Sequence, residues 1–301
     1  MRRFKIKQVD AFTDRAFTGN PAAVLPYADG LTDDQMQAIA REMNLSETAY
    51  IFKAQDGVHD MEIRWMTPVV EVSACGHGTI AAFHALDEEG LFGLDKKEPV
   101  RHFKVKTKGG TLPVEINRET GRTMISFGMP IPKFEEYLGM RFELCNALGI
   151  SAELIDKRLP VWISELGYVF IPFVDRESLL SMKPNFEDLR HLSHRTKIVG
   201  YCAFTTETAH SASAAHARFF APQLGINEDP VTGTALGPLA CYLYLNKELQ
   251  GEGNICASLE QGYEMHRGGR VWVEMAVGNH TLNDVKISGY AITVLTGEIF
   301  V

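Results

Sequence analysis

The chain has 301 residues, of which 45% are hydrophobic and 23% charged, and its formal net charge is −8. This composition is typical of a globular enzyme with room for two domains, and the acidic balance argues against nucleic-acid binding, which needs a concentrated basic face. Because no apolar run approaches the roughly 20 residues that span a bilayer and the basic start does not resemble a signal peptide, we expect a cytoplasmic protein that does not bind membranes.

The first half predicts a sheet with two helices. Strands are predicted, in chain order, at Phe4–Val9, Ala22–Leu25, Ala49–Phe52, Glu62–Met66, Arg101–Thr107, Leu112–Ile116 and Thr123–Phe127. The first helix follows Thr32, an N-cap residue with Gln35 three positions later, which is the pattern of a capping box. The second helix is predicted over about Thr79–Glu89.

The second half begins after the proline-bearing stretch Met129–Pro132, which we interpret as a linker. Its predicted helices are Phe134–Leu148, Ala152–Lys157, one that starts at the capping residue Asn185, and Gly233–Leu249. Its predicted strands are Val161–Ser164, Tyr168–Phe173, Ile198–Thr205, Val271–Ala276, Val285–Ser288 and Ala291–Leu295. The pattern predicts an α+β fold with mostly antiparallel sheets, divided into domains 1–128 and 129–288, with 289–301 returning to the first domain.

Two segments 154 residues apart resemble each other. Arg64–Pro68 is followed seven residues after its proline by Cys75, and Arg218–Pro222 is followed at the same distance by Asp229. Each copy then continues through a Gly-Thr pair into an apolar stretch of helical character. The sequence therefore indicates two similar halves, each with a strand, a turn that carries a reactive type of side chain, and a helix N-terminus.

Three residues are candidates for acid–base chemistry. Glu47 lies between a polar turn and an apolar strand, where partial burial would suit a general base, although such a glutamate is often only an exposed turn residue. His77 lies between Gly76 and Gly78 at a helix start, where it can exchange protons near neutral pH or simply cap the helix. Asp229 precedes a proline in the second turn and is either a turn element or a reactive group.

The two helix starts are candidate anion sites. Glycines allow a ligand to approach the backbone closely, and the free N–H groups of a helix N-terminus favour a carboxylate. We therefore predict that substrate contacts come from residues at these two starts: Cys75, Gly76, Gly78, Thr79, Gly233 and Thr234.

The role of Cys75 stays open at this point. At a helix N-terminus its pKa is expected to fall, which would suit an acid, a base or a nucleophile, and the alternative is a small buried side chain that packs the turn. The five cysteines are scattered and include no C-x-x-C pair, so neither a disulfide framework nor a zinc site is expected. Because Asp229 occupies the paired position, a racemase with one thiol on each side is disfavoured.

These motifs resemble the PhzF-like (phenazine biosynthesis protein PhzF) family, which is built on the diaminopimelate epimerase fold. The resemblance extends over nearly the whole chain and rests on five segments: Val9–Phe12 with Phe17–Ala22, Asn44–Ala49, Cys75–Thr79, Glu228–Ala235, and Gln261–Gly262 with Arg267. It implies two pseudo-symmetric domains, each with a curved sheet around a central helix, and a homodimer. It also implies proton transfer without a cofactor or metal, in which Glu47 is the base and His77 and Asp229 orient the substrate and return the proton.

The expected function is an isomerase that removes and returns a proton on a small carboxylate-bearing substrate, of which a dihydro-hydroxyanthranilate is the type suggested by the family. Two alternatives stay open. One is a racemase or hydrolase that depends on Cys75, and the other is a non-catalytic protein that binds a small molecule.

Overall fold

The computed structural model describes residues 1–94 and 98–301. The strands, in chain order, are β1 (Arg3–Ala11), β2 (Asn20–Leu25), β3 (Thr48–Lys53), β4 (Met61–Met66), β5 (Glu71–Val72), β6 (Val100–Thr107), β7 (Gly110–Asn117), β8 (Met124–Met129), β9 (Phe134–Glu136), β10 (Trp162–Ser164), β11 (Tyr168–Pro172), β12 (Gly200–Thr205), β13 (Ser213–Ala221), β14 (Ile226–Asp229), β15 (Gly253–Gln261), β16 (Gly269–Gly278), β17 (Thr281–Gly289) and β18 (Ala291–Phe300). The helices are α1 (Asp33–Met43), α2 (Gly76–Glu89), α3 (Arg141–Leu148), α4 (Arg176–Ser181), α5 (Phe186–Arg195) and α6 (Gly233–Leu245).

The chain divides into two compact units. The N-terminal unit comprises Met1–Met129 together with Lys286–Val301, and the C-terminal unit comprises Pro130–Val285. The last strand, β18, belongs to the first unit because it pairs antiparallel with β1 along nearly its whole length. In the part of the chain that the structure describes, no helix is long and apolar enough to cross a membrane.

Both units pair their strands in the same way. In the N-terminal unit the order is β18-β1-β2-β3-β4-β6-β7-β8, and only the β2–β3 and β4–β6 pairs among these are parallel. In the C-terminal unit the order is β9-β10-β11-β12-β13-β15-β16, and the β11–β12 and β13–β15 pairs are parallel. The antiparallel strands β5 and β14 occupy corresponding places beside β4 and β13. This α+β arrangement confirms the predicted fold class.

Each unit buries one helix almost completely. In α2 ten of fourteen residues are buried, and in α6 ten of thirteen are buried. A helix that is apolar on all sides packs inside a domain rather than on its surface. These two helices begin at the two glycine-containing motifs that the sequence singled out, so each motif is held at the end of a rigid, buried element.

Several predicted elements need correction. Phe134–Leu148 is not one helix, because Phe134–Glu136 pairs with β10 while the Phe134 ring packs against Trp162, and α3 begins only at Arg141. Ala152–Lys157 forms only a short 3-10 turn, Ala152–Leu154. The helix α4 and the long strand β15 were not predicted. The first half of β15 is mostly exposed and contains glycine, which obscures its alternating pattern.

Candidate active site

Glu47 and His77 are brought together in the N-terminal unit. Glu47 lies in the turn between α1 and β3, which is shaped by the left-handed C-cap Asn44 and by a hydrogen bond from the Ala23 N–H to the Glu47 carbonyl. His77 lies in the first turn of α2. Their side chains are only 13% and 9% exposed, and Glu47 Oε2 lies 3.1 Å from His77 Nε2. The N–H of the ring is not aimed at this oxygen, so the contact is an ion pair without a well-aligned hydrogen bond.

Cys75 is the N-cap of α2. Its sulfur accepts the Gly78 N–H at 3.3 Å and lies 3.7 Å from His77 Nδ1, while its carbonyl accepts from the backbone and the hydroxyl of Thr79. The N–H groups of Gly78 and Thr79 are therefore already used in capping. Those of Gly76 and His77 lie in the first turn, where a helix has no internal acceptor for them, and they are the better candidates for binding an anion.

Glycine is required at position 78. A Cβ atom there would lie 2.8 Å from the Cys75 sulfur and 2.9 Å from Cδ1 of Trp65. The indole of Trp65 is almost completely buried and packs directly against the start of α2. Gly78 therefore allows Cys75 and Trp65 to pack closely against the start of α2.

Burial has opposite effects on the pKa values of Cys75 and His77. It raises the pKa of the Cys75 thiol, and the Glu47 carboxylate raises it further. The sequence-based expectation of a lowered thiol pKa is therefore wrong, because the desolvation of the sulfur outweighs the effect of the helix N-terminus. For His77, burial alone would lower the pKa, but the neighbouring Cys75 sulfur and the Glu47 carboxylate raise it well above its ordinary value.

The burial and the raised pKa of Cys75 predict the order in which the five cysteines are labelled. We expect iodoacetamide to modify Cys256 first, because it is the one exposed cysteine, and Cys75 much more slowly. Peptide mass spectrometry at increasing reaction times measures the order. The variant Cys256→Ser is the control, since it should remove the fast phase and leave the slow labelling unchanged. Fastest modification at Cys75 would instead support a nucleophilic thiol.

The raised pKa of His77 predicts a pH dependence of stability. A histidine whose pKa is raised on folding stabilises the folded state fully below its unfolded pKa of about 6.5, and this contribution is lost as the pH rises through the folded value. We expect the stability advantage of the wild type over His77→Gln to shrink from about pH 6.5 upward. Urea unfolding at a series of pH values measures it, with the exposed His191→Gln as control. A difference that does not change with pH would contradict the raised pKa.

Glu47, Cys75 and His77 also form a cluster of potential metal ligands. Their donor atoms all lie within 4.8 Å of one another. Thiolate, imidazole and carboxylate are the ligand types that zinc prefers. A metal would have to displace the proton of the Cys75 thiol, and the raised pKa of this thiol makes the displacement less favourable.

In the C-terminal unit Asp229 closes β14 and is buried. Its carboxylate accepts the Thr232 hydroxyl, and its carbonyl accepts the side-chain amide of Gln261 at 2.6 Å. Gln261 Oε1 in turn accepts the Thr232 N–H at 3.1 Å. Gly233 and Thr234 form the first turn of α6, as Gly76 and His77 do in α2. Gln261 belongs to one of the segments that carry the family resemblance, but the sequence did not indicate its hydrogen bonds to the Asp229 turn.

The structure corrects the comparison of the two repeat copies. Cys75 and Thr232 are the N-caps of α2 and α6, whereas Asp229 lies three residues before the N-cap of its helix. The structural counterpart of Cys75 is therefore Thr232. The second turn is longer than the first, and sequence spacing alone could not show this. The argument against a racemase with two paired thiols is unchanged, since a threonine occupies the position equivalent to Cys75.

The arginines of the repeat have the same structural role. Arg64 on β4 makes a two-pronged ion pair with Glu71 on β5 at 2.8 and 3.0 Å. Arg218 on β13 makes one with Glu228 on β14 at 2.9 and 3.0 Å. Each pair ties the strand before the turn to the short strand that leads into it.

Comparisons with known proteins agree with this architecture. The family model described as phenazine biosynthesis-like protein matches residues 9–297. An uncharacterized isomerase of Clostridium acetobutylicum is 38% identical over 99% of both chains, and the uncharacterized isomerase YfhB of Bacillus subtilis is 34% identical over 97% of both. The solved structure of a PhzF-family phenazine biosynthesis protein from Bacillus anthracis has a TM-score of 0.90 and 31% identity over the whole of both chains. A hydroxyproline epimerase from Agrobacterium vitis, 12% identical over 99% of this chain and 92% of its own with a TM-score of 0.62, shares the fold.

Proposed function

The chain belongs to the PhzF family and is an isomerase, and from this premise we propose that it moves a proton on a small carboxylate-bearing substrate without a metal or a cofactor. The observation that carries the proposal is the contact of Glu47 with His77 in the first turn of α2, where both side chains are largely buried. A carboxyl group beside an imidazole provides a candidate base and a candidate acid in one site.

In the proposed reaction the Glu47 carboxylate takes a proton from carbon. The C–H electron pair moves into the conjugated system next to the substrate carboxylate, and a proton is added at another carbon, so the product is an isomer. The raised pKa of His77 supports a protonated imidazole, which can stabilise the developing negative charge. The N–H groups of Gly76 and His77 at the N-terminus of α2 suit the substrate carboxylate.

Asp229 is proposed to orient the substrate and to assist the return of the proton, with Gly233 and Thr234 as further carboxylate contacts. Its support is local: the buried Asp229 carboxylate accepts the Thr232 hydroxyl, Gln261 holds the backbone carbonyl of the same residue, and the turn leads into a buried helix. The predicted contacts at Cys75, Gly78 and Thr79 are proposed to shape the turn instead of binding through their N–H groups. A homodimer in the cytoplasm stays a prediction.

The reaction is tested by incubating the protein with small unsaturated carboxylates, including a dihydro-hydroxyanthranilate, in heavy water. We expect the product to be one mass unit heavier than the substrate, because one hydrogen is replaced by deuterium, and NMR locates this deuterium at carbon. Prior dialysis against a chelator, with metal analysis of the protein, should leave the rate unchanged. Loss of activity that zinc restores would overturn the metal-free proposal, and a product of different composition would overturn the isomerisation of these substrates.

A further inference from the structure

A buried histidine of the C-terminal unit lies between two carboxylates. His216 on β13 has no exposed surface; its Nδ1 lies 2.8 Å from Glu260 Oε1, and its Nε2 lies 2.8 Å from Glu264 Oε1. The ring of Tyr263 stacks on the imidazole, with 5.6 Å between the ring centroids. The proton transfer proposed above uses none of these residues.

The geometry of the cluster determines the charge of the ring. An ionised carboxylate oxygen can only accept a hydrogen bond, so each ring nitrogen must donate one. A neutral imidazole has a single N–H and would leave one of the two contacts as a repulsion between lone pairs. The imidazolium satisfies both, and burial excludes the water that could otherwise replace a partner.

The charged groups around the ring agree with this assignment. Glu260 faces it from β15, Glu264 and Tyr263 face it from the following 3-10 turn, and Arg218, on the same strand as His216, acts on Glu264. Burial lowers the pKa of His216, but the hydrogen bonds and charges of Glu260 and Glu264 raise it above the ordinary value.

The two carboxylates lie on either side of Gln261 in the sequence. Glu260 immediately precedes it and also accepts the N–H groups of Ala209 and His210, at 2.5 and 3.1 Å. Glu264 follows three residues later, in the 3-10 turn Tyr263–Met265. The imidazole therefore fixes both sides of the bend at Gln261–Gly262.

This bend supports the turn that carries Asp229. The Gln261 side chain bonds to the Asp229 carbonyl and to the Thr232 N–H. Gly262 has a positive φ of 89°, and a Cβ atom there would lie 2.3 Å from the Pro230 carbonyl oxygen, so the two backbones are in direct contact. A displacement of the bend must therefore move the Asp229–Thr232 turn.

We propose that His216 is a positioning residue: as a permanent imidazolium it holds Glu260 and Glu264 together and thereby fixes the Gln261 bend and the turn carrying Asp229. Arg218, two residues along the same face of β13, holds Glu228 on the other side of Asp229. The inference rests on the proposed function only in that Asp229 takes part in the reaction; the charge of the ring and its effect on the turn are independent of turnover.

The charge is tested by NMR of the full chain labelled with ¹⁵N-histidine. We expect both ring nitrogens of His216 to stay protonated from about pH 6 to 8. Loss of the signals in His216→Gln assigns them. A His216 ring that loses one proton within this range would overturn the assignment.

The positioning role is tested by amide hydrogen exchange at Thr232. In His216→Gln, whose single side-chain amide cannot bridge two opposed carboxylates, we expect exchange to become about tenfold faster, as for the loss of one hydrogen bond. His191→Gln should leave it unchanged. If His216→Gln does not fold, Glu264→Gln serves instead, because it keeps the Glu260 contact and removes one charge. Unchanged exchange at Thr232 in a folded variant would overturn the proposal.

The same variants separate this inference from the proposed function. If the wild type exchanges carbon-bound hydrogen in heavy water, we expect His216→Gln to lower kcat more than it changes KM, because the turn with Asp229 acts during proton transfer. A wild type without such exchange would refute the proposed reaction, while the ring protonation and the Thr232 exchange would still decide the role of His216.

Discussion

Replacing Glu47 with glutamine is expected to lower the rate of carbon deprotonation by about 10²–10⁴-fold, the range that a positioned general base contributes. The amide keeps the size of the carboxylate but cannot take a proton. Deuterium uptake at the substrate carbon in heavy water measures the effect directly. Because the Glu47 carboxylate lies beside His77, the variant should also lower the pKa of His77.

Glu42→Gln is the matched control for this experiment. Glu42 lies on the exposed side of α1, five residues before Glu47, so the same chemical change occurs nearby without touching the pair. We expect wild-type uptake in this variant. Undiminished uptake in Glu47→Gln would remove Glu47 as the base and leave Asp229 as the first candidate to replace it.

Arg218→Met is expected to lower the free energy of unfolding by about 3–5 kcal/mol, because it leaves the largely buried carboxylate of Glu228 without its partner. The side chains of Arg218 and Glu228 are 9% and 15% exposed. Arg64→Met should cost less, since Arg64 is 22% exposed and Glu71 keeps a second cation, Lys108, whose Nζ lies 3.8 Å from its carboxylate. Urea unfolding followed by circular dichroism measures both variants.

The double variant Arg218→Met, Glu228→Met tests whether the loss of stability comes from the unpaired carboxylate. If the cost comes from an unpaired buried charge, the double variant should recover most of the stability. A single variant that loses less than about 1 kcal/mol, the usual value of an exposed ion pair, would show that solvent reaches this site.

The sequence predicted best those features that depend on neighbouring residues. The capping box of Thr32 and Gln35 is present with both of its hydrogen bonds, and Asn185 caps α5 as expected. Phe134–Glu136 was assigned the wrong structure because its packing partner Trp162 lies far along the chain. Local propensity cannot report such a contact.

In the candidate site, too, the sequence indicated the local features and not the contacts between distant residues. Glu47 and His77 were both identified from local motifs, but the contact between them depends on how β3 and α2 are placed, which no local pattern encodes. His216 gave no signal at all, because its partners Glu260 and Glu264 follow 44 and 48 residues later and meet it only through the register of β13 and β15. The repeat indicated the two arginines, but not that they hold Glu71 and Glu228 in the same way.

The close packing of Trp65 against Gly78 gives the protein a built-in optical probe. The chain has three tryptophans, and Trp65 is the one that belongs to the N-terminal unit. In a background with phenylalanine at positions 162 and 272, emission would come from a single indole at the start of α2, beside the thiol of Cys75. Ligand binding at this helix start, and protonation of His77, could then be followed by fluorescence in real time, without a label and without knowing the product.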